Sequence, residues 1–157
     1  MGKIVEILIS DNPQSPMVSV ADAEAVAGQG IKGDRYFHGC GTFSPDPHRS
    51  DFELTMIEQE QISAFARDTG LNFNAKQARR NLVTQGISLN DIVGKEFRIG
   101  AARFKAIRLC EPCQYLAKTT YPETLKGLVH KGGLRVAILE SGMIRTGDSI
   151  EVIHSSH

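Results

Sequence analysis

From Asn81 onward the chain is a series of short β-like runs set off by glycines. β-like runs cover 81–84, 96–99, 102–109, 135–139 and 149–153, and Gly86, Gly94, Gly100, Gly132, Gly133, Gly142 and Gly147 punctuate them. Upstream, Ile4 to Ile9 alternates poorly but is rich in Ile, Val and Leu and stops at Asp11-Asn12-Pro13, and Val18 to Val26 continues it. Phe52 to Met56 reads as a short strand running into the one convincing helix. Thr55 and Glu58 have the capping-box spacing, Ile62, Phe65 and Ala66 recur at helical spacing, and Gly70 offers a stop, so the pattern predicts a helix over 56–69. Seven or eight short strands with one good helix predict a mainly β fold, a compact β-barrel with a few short helices at its rim. A doubly wound sheet is not expected, because neither βαβ alternation nor a Gly-x-Gly-x-x-Gly or Walker-type loop is visible. The phrases 93–100 and 141–148 each offer a Gly-bounded hairpin.

At 157 residues the chain is expected to form a single domain over 1–157. Its 18 Lys and Arg balance 18 Asp and Glu, which removes the global electrostatic argument for nucleic acid or a membrane surface. No apolar run approaches the roughly 18 residues of a membrane span, and Met1-Gly2-Lys3-Ile4 lacks the apolar stretch of a leader, so a cytoplasmic location is expected. The three cysteines, Cys40, Cys110 and Cys113, are too few for a disulfide framework and point to reactivity or metal binding.

The sharpest chemical feature is Arg108-Leu109-Cys110-Glu111-Pro112-Cys113. Pro112 breaks the preceding strand, and a short helix beginning near Gln114 would place Cys113 at its N-terminus. Unpaired N–H groups there favour thiolate, and Arg108 acts in the same direction. A thiolate is a nucleophile and a soft metal ligand, and several uses compete. Thiol–disulfide exchange between Cys110 and Cys113 lacks the βαβ context of thioredoxin-like sites. A zinc site would recruit Cys40 and one of His38, His48 or His130, and only half of such a site is evident. A single reactive cysteine that binds a metal cofactor or carries sulfur, helped by the other, is the third use. Two small buried thiols at a strand end is the bland alternative.

Three further segments carry polar chemistry. Gly28 to Pro47 reads as a long loop, within which Gly33 permits close backbone approach and Lys32 with Arg35 suits an anionic ligand, the bland alternative being an Asp34–Arg35 pair that sets the turn. Arg79-Arg80-Asn81 enters a strand, where the two arginines suit a phosphate and Asn81 a heterocycle edge, although arginines at such a point are commonly a solvated face. Val129 to Arg135 is another basic, glycine-containing turn before a strand.

Taken in order, these segments resemble the MOSC family, named after the C-terminal domain of molybdenum cofactor sulfurase. The resemblance runs from about Ala25 to Val152 and is anchored on Gly33-Asp34-Arg35, Arg80-Asn81-Leu82-Val83-Thr84 with Gly86, Gly94 to Gly100, Cys110-Glu111-Pro112-Cys113 and Gly142-x-Ile144-x-x-Gly147-Asp148. It implies a compact β-barrel that binds a molybdopterin-type molybdenum cofactor, with Cys113 as the key residue. Longer relatives that reduce N-hydroxylated compounds use the equivalent thiolate as molybdenum ligand, whereas the sulfurase context implies a cysteine that accepts sulfur as persulfide. Lys32, Gly33, Asp34, Arg35, Arg80 and Asn81 are then expected to form the cofactor site, Arg108 to activate the thiol and Cys110 to serve as a second thiol. The 157 residues hold no pyridoxal-phosphate domain and no flavin or iron–sulfur motif. A cysteine desulfurase or an electron-donating reductase is therefore the expected partner, with a small-molecule substrate.

Overall fold

The computed structural model describes residues 2–11, 15–34, 53–71, 73–110 and 132–153. Among these residues, eleven strands and two α-helices follow in the order β1 (Gly2–Ile9), β2 (Val18–Val20), β3 (Asp22–Val26), β4 (Gly30–Ile31), β5 (Leu54–Glu58), α1 (Gln59–Thr69), α2 (Ala75–Ala78), β6 (Leu82–Gln85), β7 (Glu96–Ile99), β8 (Ala102–Leu109), β9 (Leu134–Glu140), β10 (Gly142–Arg145) and β11 (Ser149–Ile153). The large sheet has the order β11-β7-β8-β9-β5-β6-β1-β2, and pairing of β11 with β1 closes seven of these strands into a barrel, leaving β2 as an added edge. A second sheet has the order β10-β3-β4. The mainly β barrel expected from the sequence is thus the fold. Its bore is filled by side chains such as Ile4, Ile7, Met56, Leu82, Phe97, Phe104, Val136 and Ile150. Phe97 and Phe104 are register partners, fully buried, with stacked rings 5.3 Å apart.

Two β-bulges explain why the strands were hard to read. In β1 the register shifts between Ile4 and Glu6, so Ile4 and Ile7 both reach the bore although three positions separate them. The poor alternation of that run is the sequence trace of this bulge. In β8 the pairing passes from Ala106 opposite Val136 to Arg108 opposite Arg135, leaving Ile107 as the extra residue. Ala102, Phe104 and Ala106 face the bore, and strict alternation would send Arg108 there too. The bulge instead leaves Arg108 exposed and lets Leu109 pack on the core.

The helix expected over 56–69 begins only at Gln59, and Met56 to Glu58 belong to β5. Met56 lies in the bore and Ile57 packs under the helices, so a strand buried on both faces shows no alternation to distinguish it. The Thr55–Glu58 capping box is absent: Glu58 is the N-cap but makes no side-chain capping bond, and the Thr55 hydroxyl is engaged with Asn81. The real capping box joins Asn74 and Gln77 at α2. At the other end of α1, Gly70 adopts φ 71° and its N–H closes onto the Ala66 carbonyl, the stop the sequence indicates.

Three other expectations need correction. Val18–Val26 is not a continuation of β1: β2 folds back antiparallel on it, and β3 joins the second sheet. Gly30-Ile31, inside the presumed long loop, pairs with β3. The phrase 141–148 makes no hairpin between neighbours, since β10 pairs with β3 while β11 pairs with β7 and β1. The sheet also holds one parallel pair, β5 with β6, which requires a crossover and receives one from α1 and α2. These helices and the connection between them cover the outer face of the barrel through Ile62, Phe65, Phe73 and Ala78 against Leu8, Ile57 and Val83. No helix among the described residues is long and apolar enough to cross a membrane.

Candidate functional site

The end of β1 brings together two of the segments singled out by the sequence, around Asp34 and around Arg79–Asn81. The Leu8 N–H donates to the Asn81 carbonyl at 2.7 Å, and Asn81 Nδ2 donates back to the Leu8 carbonyl at 3.1 Å. Two residues further along, the Ser10 N–H donates to Asp34 Oδ1 at 3.0 Å. The Ser10 hydroxyl and Arg79 Nη1 both donate to the Ser15 carbonyl, at 3.0 and 2.7 Å. Asp34 and Asn81, far apart in sequence, therefore sit against the same short stretch of backbone, both fully buried.

Asn81 also reaches sideways. Its Oδ1 accepts from the Thr55 N–H at 3.0 Å and from the Thr55 hydroxyl at 3.2 Å, and its own N–H meets the Thr55 carbonyl. Oxygen and nitrogen of the amide are both engaged with protein, so Asn81 ties β1, β5 and the entry of β6 together. Such a residue builds the frame of a site and supports its rim from beneath.

Arg80 is 8% exposed. Its guanidinium donates from Nε to the Gly132 carbonyl at 2.8 Å, from Nη1 to the Ala78 carbonyl at 3.2 Å and from Nη2 to the Cys110 carbonyl at 3.2 Å. The solvated face that arginines at a strand entry suggest is not found here. Cys110 is itself buried, and its N–H donates to the Gly133 carbonyl at 2.7 Å. The last rung between the chain leaving β8 and the chain entering β9 is thereby closed.

Arg108 and Arg135 are register partners, and Arg135 is also the partner of Thr55 on the other side. Arg108, Arg135 and Thr55 thus form a polar row across β8, β9 and β5 on the outer face, opposite the bore-facing Leu134 and Val136. Arg108 is exposed while Arg135 is buried. Lys32 and Gly33 are exposed in the turn before Asp34, where Gly33 takes φ 91°, a conformation glycine adopts freely. Arg35, Cys113, and the histidines and Cys40 of the zinc alternative lie outside the described residues. Among the described residues no group of three or more His, Cys, Asp or Glu is placed to hold a metal. A groove of 610 Å³ lined by Gly2, Ile87, Asp91, Ile150 and Glu151, among others, contains none of the expected site residues.

Sequence reasoning missed Glu53. It is 5% exposed, and its carboxylate accepts from the Ile138 N–H at 2.9 Å, fastening the entry of β5 to β9. Burial raises its pKa above 4.5, partly offset by the N–H groups of Ile138 and Gly28. Burial likewise raises Glu58, offset by the Leu89 N–H and reinforced by the charges of Glu60 and Asp91. Well below pH 4.5 both carboxyls are protonated in the folded and the unfolded chain. As pH rises, the unfolded chain ionises first, so their stabilising contribution declines from pH 4.5 upward through the folded values. Glu53→Gln retains an acceptor for Ile138. Urea unfolding of both proteins should show the variant gaining on wild type between pH 4.5 and 7, and a pH-independent difference would refute the linkage.

A closed, mostly antiparallel barrel with one helical crossover and a basic polar junction defines a class of small β-barrel domains. The sequence matches the MOSC domain family over residues 34–151, and the chain belongs to that family. Among solved structures it is similar to the YuaD protein from Bacillus subtilis, with 18% identity, TM-score 0.79, and coverage of 97% of this chain and 96% of the other. It is also similar to YiiM from Geobacillus stearothermophilus, with 18% identity, TM-score 0.73, and 98% and 76% coverage. YiiM from Escherichia coli gives 17% identity, TM-score 0.71, and 98% and 71% coverage. No curated protein matches the sequence.

Proposed function

We propose that this MOSC domain binds a molybdopterin-type molybdenum cofactor, with the Cys113 thiolate as metal ligand in the reduction of N-hydroxylated compounds. The observation that carries the reading is the convergence of residues 33–34, 79–81, 108–110 and 132–135, four separate stretches tied by hydrogen bonds and strand pairing into one junction. The donor set suits the group. Arg108, Arg135 and Lys32 offer cationic donors to a phosphate, with Arg35 three residues beyond Lys32, and a thiolate three residues beyond Cys110 is a soft ligand for molybdenum. When bound, the cofactor supplies a centre that cycles between oxidation states, with electrons from a separate reductase.

The chain's own residues divide the work. Cys113 would hold the metal, and Arg108, exposed through the β8 bulge, would favour its thiolate form. Lys32, Arg35 and Arg135 would orient the phosphate. Asp34 and Asn81 hold the frame, and buried Cys110 is placed as a packed thiol at the strand end. An enzyme of this kind should reduce hydroxylamine-type substrates when given an electron donor, and Cys113→Ser should lower the rate at least a hundredfold. Activity surviving that change would sink the assignment. A persulfide mass shift on Cys113 after incubation with a cysteine desulfurase, without turnover, would instead make the protein a sulfur carrier.

A further inference from the structure

We infer that Glu53 is a positioning residue for the candidate site: it seats the β3–β4 hairpin on the barrel and so sets where Lys32, Gly33 and Asp34 stand. This deepens, and rests on, the reading of Lys32 as a donor to the cofactor's phosphate. β5 begins at Leu54, which pairs with Val136 of β9. Two residues further along β9, Ile138 turns its N–H and carbonyl to the same side, past the start of β5. Both groups are taken up from outside the ladder. The N–H donates to Glu53 Oε1 at 2.9 Å, and the carbonyl accepts from the Gly28 N–H at 3.3 Å. The Gly28 N–H also stabilises the Glu53 carboxylate, so one buried side chain joins the residue before β5, the middle of β9 and the turn between β3 and β4.

The hairpin leads directly into the candidate site. Gly30-Ile31 pairs with β3, the Lys32 N–H donates to the Glu24 carbonyl at 3.0 Å, and the Asp34 N–H donates to the Ile31 carbonyl at 2.9 Å. The far end is fixed where Asp34 Oδ1 accepts from the Ser10 N–H. Two buried carboxyls, Glu53 at the turn and Asp34 at the end, thus hold the same short run of chain, with Ile31 packed in the bore between them. A further tie at the turn, from the Ala27 N–H to the Ser141 hydroxyl at 2.8 Å, is exposed to water. Hydrogen bonds to a carboxylate are stronger than those between neutral groups, and a buried N–H stranded by its loss is costly. Of the ties at the turn, the one through Glu53 therefore carries most of the seating.

The test uses the full chain without cofactor. Amide hydrogen exchange, resolved by residue with NMR, compares wild type with Glu53→Ala and Glu53→Gln. In Glu53→Ala the Ile138 and Gly28 amides should exchange about tenfold faster or more, in keeping with loss of charge-assisted bonds at one place. The Ser10 amide, which reports the seating of Asp34, should accelerate with them, while amides of β7 and β8 around Phe97 and Phe104 stay protected. Glutamine keeps an oxygen where Ile138 needs one, so Glu53→Gln should restore protection at Ile138 and Ser10. Unchanged protection at Ser10 in Glu53→Ala, equal acceleration throughout the barrel, or no recovery with glutamine would overturn the inference. Should Glu53→Ala fail to fold, Glu53→Asp, which draws the carboxyl back by one methylene, decides on the same amides. A wild type that binds no molybdenum cofactor would leave these exchange results standing and count against the cofactor reading alone.

Discussion

Gly133→Ala is expected to prevent the barrel from closing. A Cβ at this position would lie 1.7 Å from the Met56 carbonyl oxygen and 3.0 Å from the Ile57 Cα, and the residue sits at φ 98°. Both obstacles are backbone, in a strand buried on both faces, so no side chain can swing aside to make room. The strained φ adds to the steric cost, because a Cβ is disfavoured in that region. Relief requires β5 and β9 to separate at Met56–Leu134, next to the rung where Cys110 meets Gly133. A loss of at least about 4 kcal/mol follows, at the far end of what single substitutions do. Urea unfolding monitored by circular dichroism measures it, or the yield of folded protein if the loss is complete. A well-folded variant within about 1 kcal/mol of wild type would contradict the packing described here.

Asn81→Ala should be the next most damaging change. It strips acceptors from the Thr55 N–H and hydroxyl and a donor from the Leu8 carbonyl, all buried, in a single step. Leaving buried polar groups unmatched costs roughly 1–3 kcal/mol each, and with partial relaxation about 3–5 kcal/mol is expected for the site as a whole. Asn81→Asp is the informative companion. It keeps the acceptor facing Thr55 but cannot donate to Leu8, and it buries a carboxylate beside a carbonyl, so it should be destabilised most at neutral pH and recover on acidification. Equal stability of wild type and Asn81→Ala would show that the three strands are held by other means.

Part of this architecture was legible because it depends on local chemistry. The runs 96–99, 102–109 and 149–153 coincide with β7, β8 and β11, and β7 and β8 form a local antiparallel hairpin across Gly100. The errors lie where tertiary context overrides local pattern. Thr55-x-x-Glu58 has the spacing of a capping box, but the Thr55 side chain is claimed by Asn81 across the sheet, and Asn74-x-x-Gln77 caps instead. Bulges at Val5 and Ile107 shift which residues face the bore, and only strand pairing reveals them.

The candidate site shows the same division. The residue types and their order in the chain pointed to 33–35, 80–81 and 108–113 together. Nothing local distinguishes Arg80, gripping three carbonyls, from an arginine that meets a ligand, because the difference lies in where residues 110 and 132 are brought. Glu53 was invisible for a related reason: its importance comes from the Ile138 N–H, 85 positions away.

The central claim is that Cys113 holds a molybdenum cofactor in this barrel. Its most direct test is metal analysis by mass spectrometry together with pterin-release fluorescence, on wild type and Cys113→Ser purified from a host that makes the cofactor. Near-stoichiometric molybdenum and pterin in the wild type, with the metal lost from a folded Cys113→Ser protein, is the expected result. A folded wild type that carries zinc, or no metal and no pterin, would contradict it.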